Sequence, residues 1–154
     1  MVNGGGLVAG FDIDLPDNAP HNPWIGPHRN EYPLADMLVR SACFADALPE
    51  VASRGVSDDT GFQWLSSLQL DGSLGAALWR GGAYETFRGT PAAAKAMGAA
   101  VCTSLFGDRY EDIRVDYSRA AWSGWFYDVA CDNTWVITDR RDRHMTVLCV
   151  TDTD

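Results

Sequence analysis

Few side chains of this sequence could do chemistry, and they are scattered along it. His144 is followed five residues later by Cys149, and a Cys–His pair can supply a nucleophile and its base. Both residues fall on one apparent strand at an odd separation, so their side chains should point to opposite faces. No Walker A, G-x-G-x-x-G or G-x-S-x-G motif occurs elsewhere. The sequence therefore predicts no catalytic residue.

Metal ligands are the next kind of chemistry to consider. His21 and His28 lie near several carboxylates, but on a proline-rich stretch without a recognised ligand spacing. The four cysteines are all more than four residues apart, so no zinc-binding pattern exists, and we expect free thiols. Cys43 and Cys102 fall in apolar helical patterns, which favours burial. We predict neither a metal nor a cofactor.

Aromatic rings are crowded into one part of the chain. Five of them lie within the fourteen positions from 122 to 135. If residues 122–129 form a strand, large rings occupy both of its faces, which is more than one core face requires. One set would then be covered by the N-terminal arm, a helix, a subunit or a partner, and exposed Trp and Tyr are typical interface anchors. The predicted partner-binding residues here are Trp122, Trp125, Tyr127, Asp128 and Trp135.

The only dense basic patch follows this aromatic segment, in the run from 139 to 144. Arginine forks can grip carboxylates or phosphates. The patch is either a solvated hairpin end with internal Asp–Arg pairing or a recognition loop. It adds Asp139, Arg140, Arg141 and Arg143 to the predicted partner-binding residues.

Net charge restricts the class of partner. Twenty-one acidic residues face twelve basic ones, which gives a net charge of −9 and a pI near 4.6. Nucleic acid and anionic membrane surfaces are disfavoured, because both attract cationic proteins. No apolar run approaches the roughly 20 residues of a membrane span, and the start lacks a secretory signal pattern. We expect a cytoplasmic protein whose partner is a more basic protein.

The elements that must position these residues follow from local patterns. Five prolines between positions 16 and 33 predict an irregular arm over 1–33, with one strand at 7–15, followed by a single domain over 34–154. Helices are predicted at 34–48 and from Thr90 to Gly107. Strands are predicted at 63–70, 73–79, 83–87, 113–117, 122–129, 134–138 and 145–150. The fold class is therefore α+β, in the order arm-α-βββ-α-ββββ, with two helices packed on one face of an antiparallel sheet.

The function expected from these features is an acidic, non-catalytic protein-binding module. By analogy of charge and size, it would act as an inhibitor or an immunity or anti-defence protein against a more basic protein. One alternative is a small α+β enzyme or ligand-binding domain, whose pocket between sheet and helices would include Tyr127 and Asp128. Another is a secretion-chaperone-like dimer, so a homodimer also stays open.

Overall fold

A five-stranded antiparallel sheet forms the centre of the fold in the computed structural model, which describes residues 5–12, 33–82 and 86–152. The strand order across the sheet is β1-β5-β4-β3-β2. The strands are β1 Gly5–Asp12, β2 Gln63–Leu65, β3 Ile113–Ser118, β4 Asn133–Asp139 and β5 His144–Thr151. The helices are α1 Leu34–Val39, α2 Ala42–Ala47, α3 Pro49–Ala52, α4 Leu70–Arg80 and α5 Pro91–Phe106. The predicted α+β class with an antiparallel sheet is confirmed.

Helices cover both faces of the sheet, and not one face as predicted. Side chains of β4 alternate between two apolar clusters: Val136 packs with α1, α2 and α3, whereas Trp135 and Ile137 pack with α4 and α5. We call these sides the α1–α3 face and the α4–α5 face. The physical reason is that both faces of the central strands are apolar, so each one needs a cover.

The first helical region is divided into short helices where the sequence predicts one helix over 34–48. The Ser41 hydroxyl accepts a hydrogen bond from the Phe44 amide at 3.2 Å, which starts α2, and Pro49 starts α3. Serine competes in this way with the backbone of a continuous helix. The breaks let Phe44 and Val51, both 0% exposed, reach the α1–α3 face.

The predicted strand at 73–79 is wrong, because these residues form most of α4. Leu70, Leu74 and Ala77 recur at helical spacing and pack on the α4–α5 face. Where α4 crosses α5, a Cβ added at Gly98 would lie 2.2 Å from the Asp71 carbonyl oxygen. Glycine at this crossing therefore allows the two helices to approach closely.

The second long helix, α5, confirms the prediction from its ends. The Thr90 hydroxyl accepts a hydrogen bond from the Ala93 amide at 3.1 Å, Pro91 begins the helix, and Gly107 ends it with a φ of 64°. None of the described helices combines the length and the apolar character needed to cross a membrane.

Three other predicted strands differ from the structure. Of the predicted strand at 63–70, only Gln63–Leu65 form a strand, and α4 begins at Leu70. Residues 122–129 form a loop, with only a single bridge between Ser123 and Val56. Of the predicted strand at 83–87, residues 83–85 lie outside the described part and 86–87 are not in a strand. Within the predicted arm, β1 is an edge strand paired with β5. The rest of the arm, including His21 and His28, lies outside the described residues.

Two threonines of β4 share the α1–α3 face but differ in hydrogen bonding. Thr134 is 1% exposed, and its hydroxyl oxygen accepts a hydrogen bond from the Trp122 indole N–H at 2.9 Å. Thr138 is 0% exposed, and within the described part of the chain its hydroxyl has no hydrogen-bond partner. Desolvation of that hydroxyl therefore costs free energy without compensation.

The two positions give a matched pair of substitutions. We expect Thr138→Val to raise the free energy of unfolding by about 1 kcal/mol, because it removes an unpaired buried hydroxyl and keeps the side-chain shape. Thr134→Val should lower that free energy by about 1–2 kcal/mol, because it leaves the Trp122 N–H unpaired. Urea denaturation of both variants measures these changes. Changes of the same sign at both positions would contradict this account.

Candidate functional site

Apart from Trp135, which lies within β4, the predicted partner-binding residues lie at the two ends of this strand. The aromatic loop, residues 121–132, leads into the strand, and the hairpin tip, residues 140–143, follows it. The strand has seven residues, so the two groups are separated by roughly 20 Å. The structure therefore does not bring them together into one site.

Two of the predicted anchors are core side chains. Trp122 is 0% exposed and Trp135 is 1% exposed. The Trp135 indole N–H donates to the Ser73 hydroxyl of α4 at 2.9 Å, so its one polar atom is satisfied inside the protein. The prediction that these two tryptophans meet a partner is corrected, because neither can touch one in this fold.

The start of the aromatic loop is fixed to the α1–α3 face. The Trp122 and Phe126 rings pack with centroids 5.1 Å apart, and Phe126 is itself buried. Beside them, the Ser123 hydroxyl donates to the Val51 carbonyl oxygen at 2.6 Å, which joins the loop to α3. These contacts turn the chain where the sequence predicts an extended strand.

The end of the aromatic loop is fixed by a buried carboxylate. Asp132, which is 1% exposed, accepts a hydrogen bond from the Val129 amide at 3.0 Å and another from the Thr151 hydroxyl at 2.6 Å. Between these anchors Asp128 adopts a positive φ of 58°. Both ends of the loop are therefore held by buried groups.

The middle of the aromatic loop reaches the surface. Tyr127 is 55% exposed, Asp128 is exposed, and Trp125 is half-buried with its ring edge against Phe126. Of the predicted aromatic anchors, Tyr127 and Trp125 are thus accessible.

A further aromatic was missed at this end of the molecule. Trp79 is 45% exposed at the end of α4, and the guanidinium of the next residue, Arg80, donates to the Ala130 carbonyl oxygen at 3.2 Å. Because the sequence predicts a strand at 73–79, it does not indicate that Trp79 lies on the exposed side of a helix. The helical spacing of Leu70 and Leu74 is the signal that could have placed Trp79 on the exposed side of a helix.

At the opposite end of β4, the hairpin is closed by Asp139. One of its carboxylate oxygens accepts hydrogen bonds from the Arg141 and Asp142 amides, each at 3.0 Å. Arg109 forms ion pairs with Asp139 at 2.8 Å and with Asp142 at 2.9 Å. Asp–Arg pairing therefore organises the hairpin, although the arginine comes from outside the tip.

The three arginines of the hairpin tip, Arg140, Arg141 and Arg143, follow Asp139. The Arg140 amide donates to the Asp112 carbonyl oxygen at 3.0 Å, whereas the Arg141 and Arg143 side chains are exposed. Arg143 has a φ of 52°, which completes the turn. A partner role for these arginines stays a prediction.

Hydrogen bonding sets the protonation of Asp139. Burial alone would raise its pKa, but the hydrogen bonds from the Asp142 amide and from Arg109 outweigh burial and hold the pKa below its ordinary value. The carboxylate is therefore charged at neutral pH and is used within the fold.

A cleft of about 380 Å³ lies between the hairpin and the end of α5. Its apolar side includes Phe106 and Ile137, and its polar rim includes His144, whose Nδ1 is 3.0 Å from an Asp12 carboxylate oxygen. Tyr127 and Asp128, which the enzyme alternative assigns to a pocket, do not line this cleft. Among the lining residues, no nucleophile is hydrogen-bonded to a base.

The cysteines are all free thiols. Burial raises the pKa of Cys102 to about 11 and that of Cys149 to about 12, so both stay protonated at neutral pH. Cys43 is exposed, contrary to the expectation of burial. Over residues 5–12, 33–82 and 86–152, no group of three or more His, Cys, Asp or Glu side chains could hold a metal ion.

Comparison of the chain with protein-family models, with curated proteins and with solved structures finds no match.

The low pKa of Asp139 predicts how stability depends on pH. A carboxyl whose folded pKa lies below its unfolded value of about 3.9 stabilises the protein above that value. This stability is lost as the pH falls through the folded pKa. We therefore expect Asp139→Asn to lower the free energy of unfolding by about 1–3 kcal/mol at pH 7. The difference from wild type should shrink below about pH 4 in urea denaturation.

Asp142→Asn is the matched control, because the Asp142 side chain also pairs with Arg109 but is 61% exposed. Exposed ion pairs contribute little, so the expected loss is below about 1 kcal/mol. Equal losses at the two positions, or a difference at Asp139 that persists at low pH, would refute the role given to this carboxylate.

Proposed function

We propose that the chain is a non-catalytic protein-binding module that binds a protein more basic than itself, with the aromatic loop as its anchor. One observation carries the proposal: Tyr127, 55% exposed, stands on a loop whose two ends are fixed by buried Trp122 and Asp132. An inhibitor of the immunity or anti-defence kind is the form of this function that fits the size and charge of the chain.

Rigidity of the loop supports this proposal. Binding costs free energy when side chains and loops must be ordered, and a loop held in advance avoids much of that cost. The hydrogen bonds of Ser123 and Asp132 hold the loop to α3 and to β5 before any partner arrives. Tyrosine adds contact area with few rotatable bonds, which makes Tyr127 suited to an interface.

The net charge of the chain supports a basic protein as the partner. A net charge of −9 produces a negative field around the molecule, which speeds the approach of a basic protein and repels acidic ones. Apolar contact at the loop would then supply the affinity. The four free thiols fit a reducing compartment, so we propose the cytoplasm as the place of binding.

The cleft beside the hairpin favours a second candidate, a small-ligand site. Its volume of about 380 Å³ lies within the usual range for ligand pockets, and it combines an apolar side with His144 and Asp12 on its rim. The two candidates are separable, because Tyr127 does not line the cleft.

Affinity capture from the source organism, followed by a binding assay with the captured protein, tests the main proposal. We expect Tyr127→Ala to weaken binding by at least about tenfold, because hot-spot aromatics contribute about 2 kcal/mol or more. Thermal unfolding should be unchanged, because the ring is exposed. The association rate should fall as salt is raised, because screening weakens the negative field.

Trp64→Ala is the control, because Trp64 is an exposed aromatic of similar accessibility, 46%, on the edge strand β2. It should leave the affinity unchanged. Equal losses for the two variants, no loss for Tyr127→Ala, or a captured partner that is itself acidic would each overturn the proposal.

A further inference from the structure

The cleft beside the hairpin is built on one end of the sheet. Four of its lining residues, one from each of β3, β4, β5 and β1, are register partners and form a row: Ile113, Asp139, His144 and Asp12. Residues paired in this way lie side by side on one face of a sheet. Ile113 belongs to the apolar cluster of the α4–α5 face, so the row lies on that face. The last turn of α5 supplies further lining residues, so the cleft lies where this helix end meets the four strands.

Part of the cleft is apolar. Phe106 and Ile137 line it, are 3% and 4% exposed, and belong to the α4–α5 cluster. Leu105 also lines the cleft and is 36% exposed. An apolar group that covered Leu105 would be favoured, because both surfaces would leave water. The cleft can therefore hold the apolar body of a ligand.

The charged lining of the cleft is acidic. Of the described residues that line it, three are aspartates and none is a lysine or an arginine. The Asp139 carboxylate is already used within the fold, because one oxygen accepts from the amides of Arg141 and Asp142 and the other pairs with Arg109 at 2.8 Å. Any carboxylate oxygen offered to a ligand must therefore come from Asp12 or Asp142.

These two aspartates each keep one carboxylate oxygen for a ligand. Within the described part of the chain, Asp142 pairs with Arg109 only through Oδ2, at 2.9 Å, and Asp12 contacts His144 only through Oδ1, at 3.0 Å. The Asp142 and Asp12 side chains are 61% and 100% exposed, so a ligand can reach their second oxygens from solvent. A carboxylate accepts hydrogen bonds and does not donate them, so the ligand must supply the donor.

We propose that the cleft binds an organic cation that combines an apolar body with an ammonium group. The apolar body lies against Leu105 and Ile137, and the ammonium group donates to the free carboxylate oxygens of the polar rim. Hydrogen bonds between an ammonium and a carboxylate are stronger than those between neutral groups. The inference rests on the second candidate function, the small-ligand site, and names the ligand class of that site.

The arginines near the cleft leave its lining acidic. Arg109 is shared between Asp139 and Asp142, so its charge is opposed by two carboxylates. Arg141 and Arg143 are exposed at the hairpin tip and do not line the cleft. The net charge of −9 adds a long-range attraction for cations. An anionic ligand of the same shape should therefore bind more weakly.

NMR titration of the isotope-labelled full chain with phenethylamine tests the proposal, because this probe combines a phenyl ring with an ammonium group. We expect saturable shifts of the backbone amides of the lining residues, with a dissociation constant of about 1 mM. Phenylacetate has the same ring and the opposite charge, whereas ethylamine has the charge without the ring. Each of these two probes should bind at least about tenfold more weakly, because each lacks one of the two contacts.

Variants test the two parts of the cleft separately. Asp142→Asn should weaken phenethylamine binding by about threefold, as expected for an exposed ion pair. Asp46→Asn is its control, because Asp46 is exposed on α2, which covers the other face of the sheet. Leu105→Ala should also weaken binding by about threefold, because it removes apolar contact. Its control is Val101→Ala, one turn earlier on α5, since Val101 is 43% exposed and does not line the cleft. Both controls should leave the affinity unchanged.

The possible failures are distinguishable. Shifts of the lining amides by phenylacetate but not by phenethylamine, or equal binding of all three probes, would refute the ligand class and leave the small-ligand site standing. If no probe shifts those amides, the ligand class and the small-ligand candidate both fail. Equal losses for a variant and its control would place the binding outside the cleft and contradict the proposal. Binding of another protein at the aromatic loop would change none of these outcomes, because Tyr127 does not line the cleft.

Discussion

The burial of β4 on both of its faces is the constraint on which the rest of the structure depends. All seven residues from Asn133 to Asp139 are buried, so each face of this central strand needs its own cover. The α1–α3 helices cover one face and the α4–α5 pair covers the other. The chain can then leave the core only at the two ends of the strand, where the aromatic loop and the hairpin tip lie.

A buried carboxylate stabilises the chain at each of these exits. Asp132 precedes β4 and Asp139 ends it, and they are 1% and 8% exposed. A carboxylate is costly to bury unless its oxygens are hydrogen-bonded, and both residues meet this condition with backbone amides of the adjoining loop. These hydrogen bonds therefore satisfy the buried oxygens and also fix the loop conformation. Ordered loops at both ends of the strand follow from the same requirement.

Local patterns were sufficient for the elements whose signals lie within the element itself. The Thr90-Pro91 start and the Gly107 end define α5, and the alternation of apolar and polar residues defines β3. The segment 73–79 was misassigned because Asp71-Gly72 also occurs in the first turn of a helix, and the deciding contact, the close crossing at Gly98, comes from a distant part of the chain. The segment 122–129 turns because Ser123 bonds to Val51, which no pattern near residue 123 could indicate.

The difference between local patterns and contacts from distant parts of the chain also explains why the candidate site is only partly predictable. Composition indicates the aromatic cluster, but a buried tryptophan usually needs a hydrogen-bond partner for its N–H inside the fold. The Trp122 N–H donates to the Thr134 hydroxyl, and the Trp135 N–H donates to the Ser73 hydroxyl. Ser73 lies on α4, where the sequence predicts a strand. With those rings in the core, the loop between them must direct Tyr127 outward, since the space on both faces of β4 is already filled. The exposed anchor is thus a consequence of the buried ones.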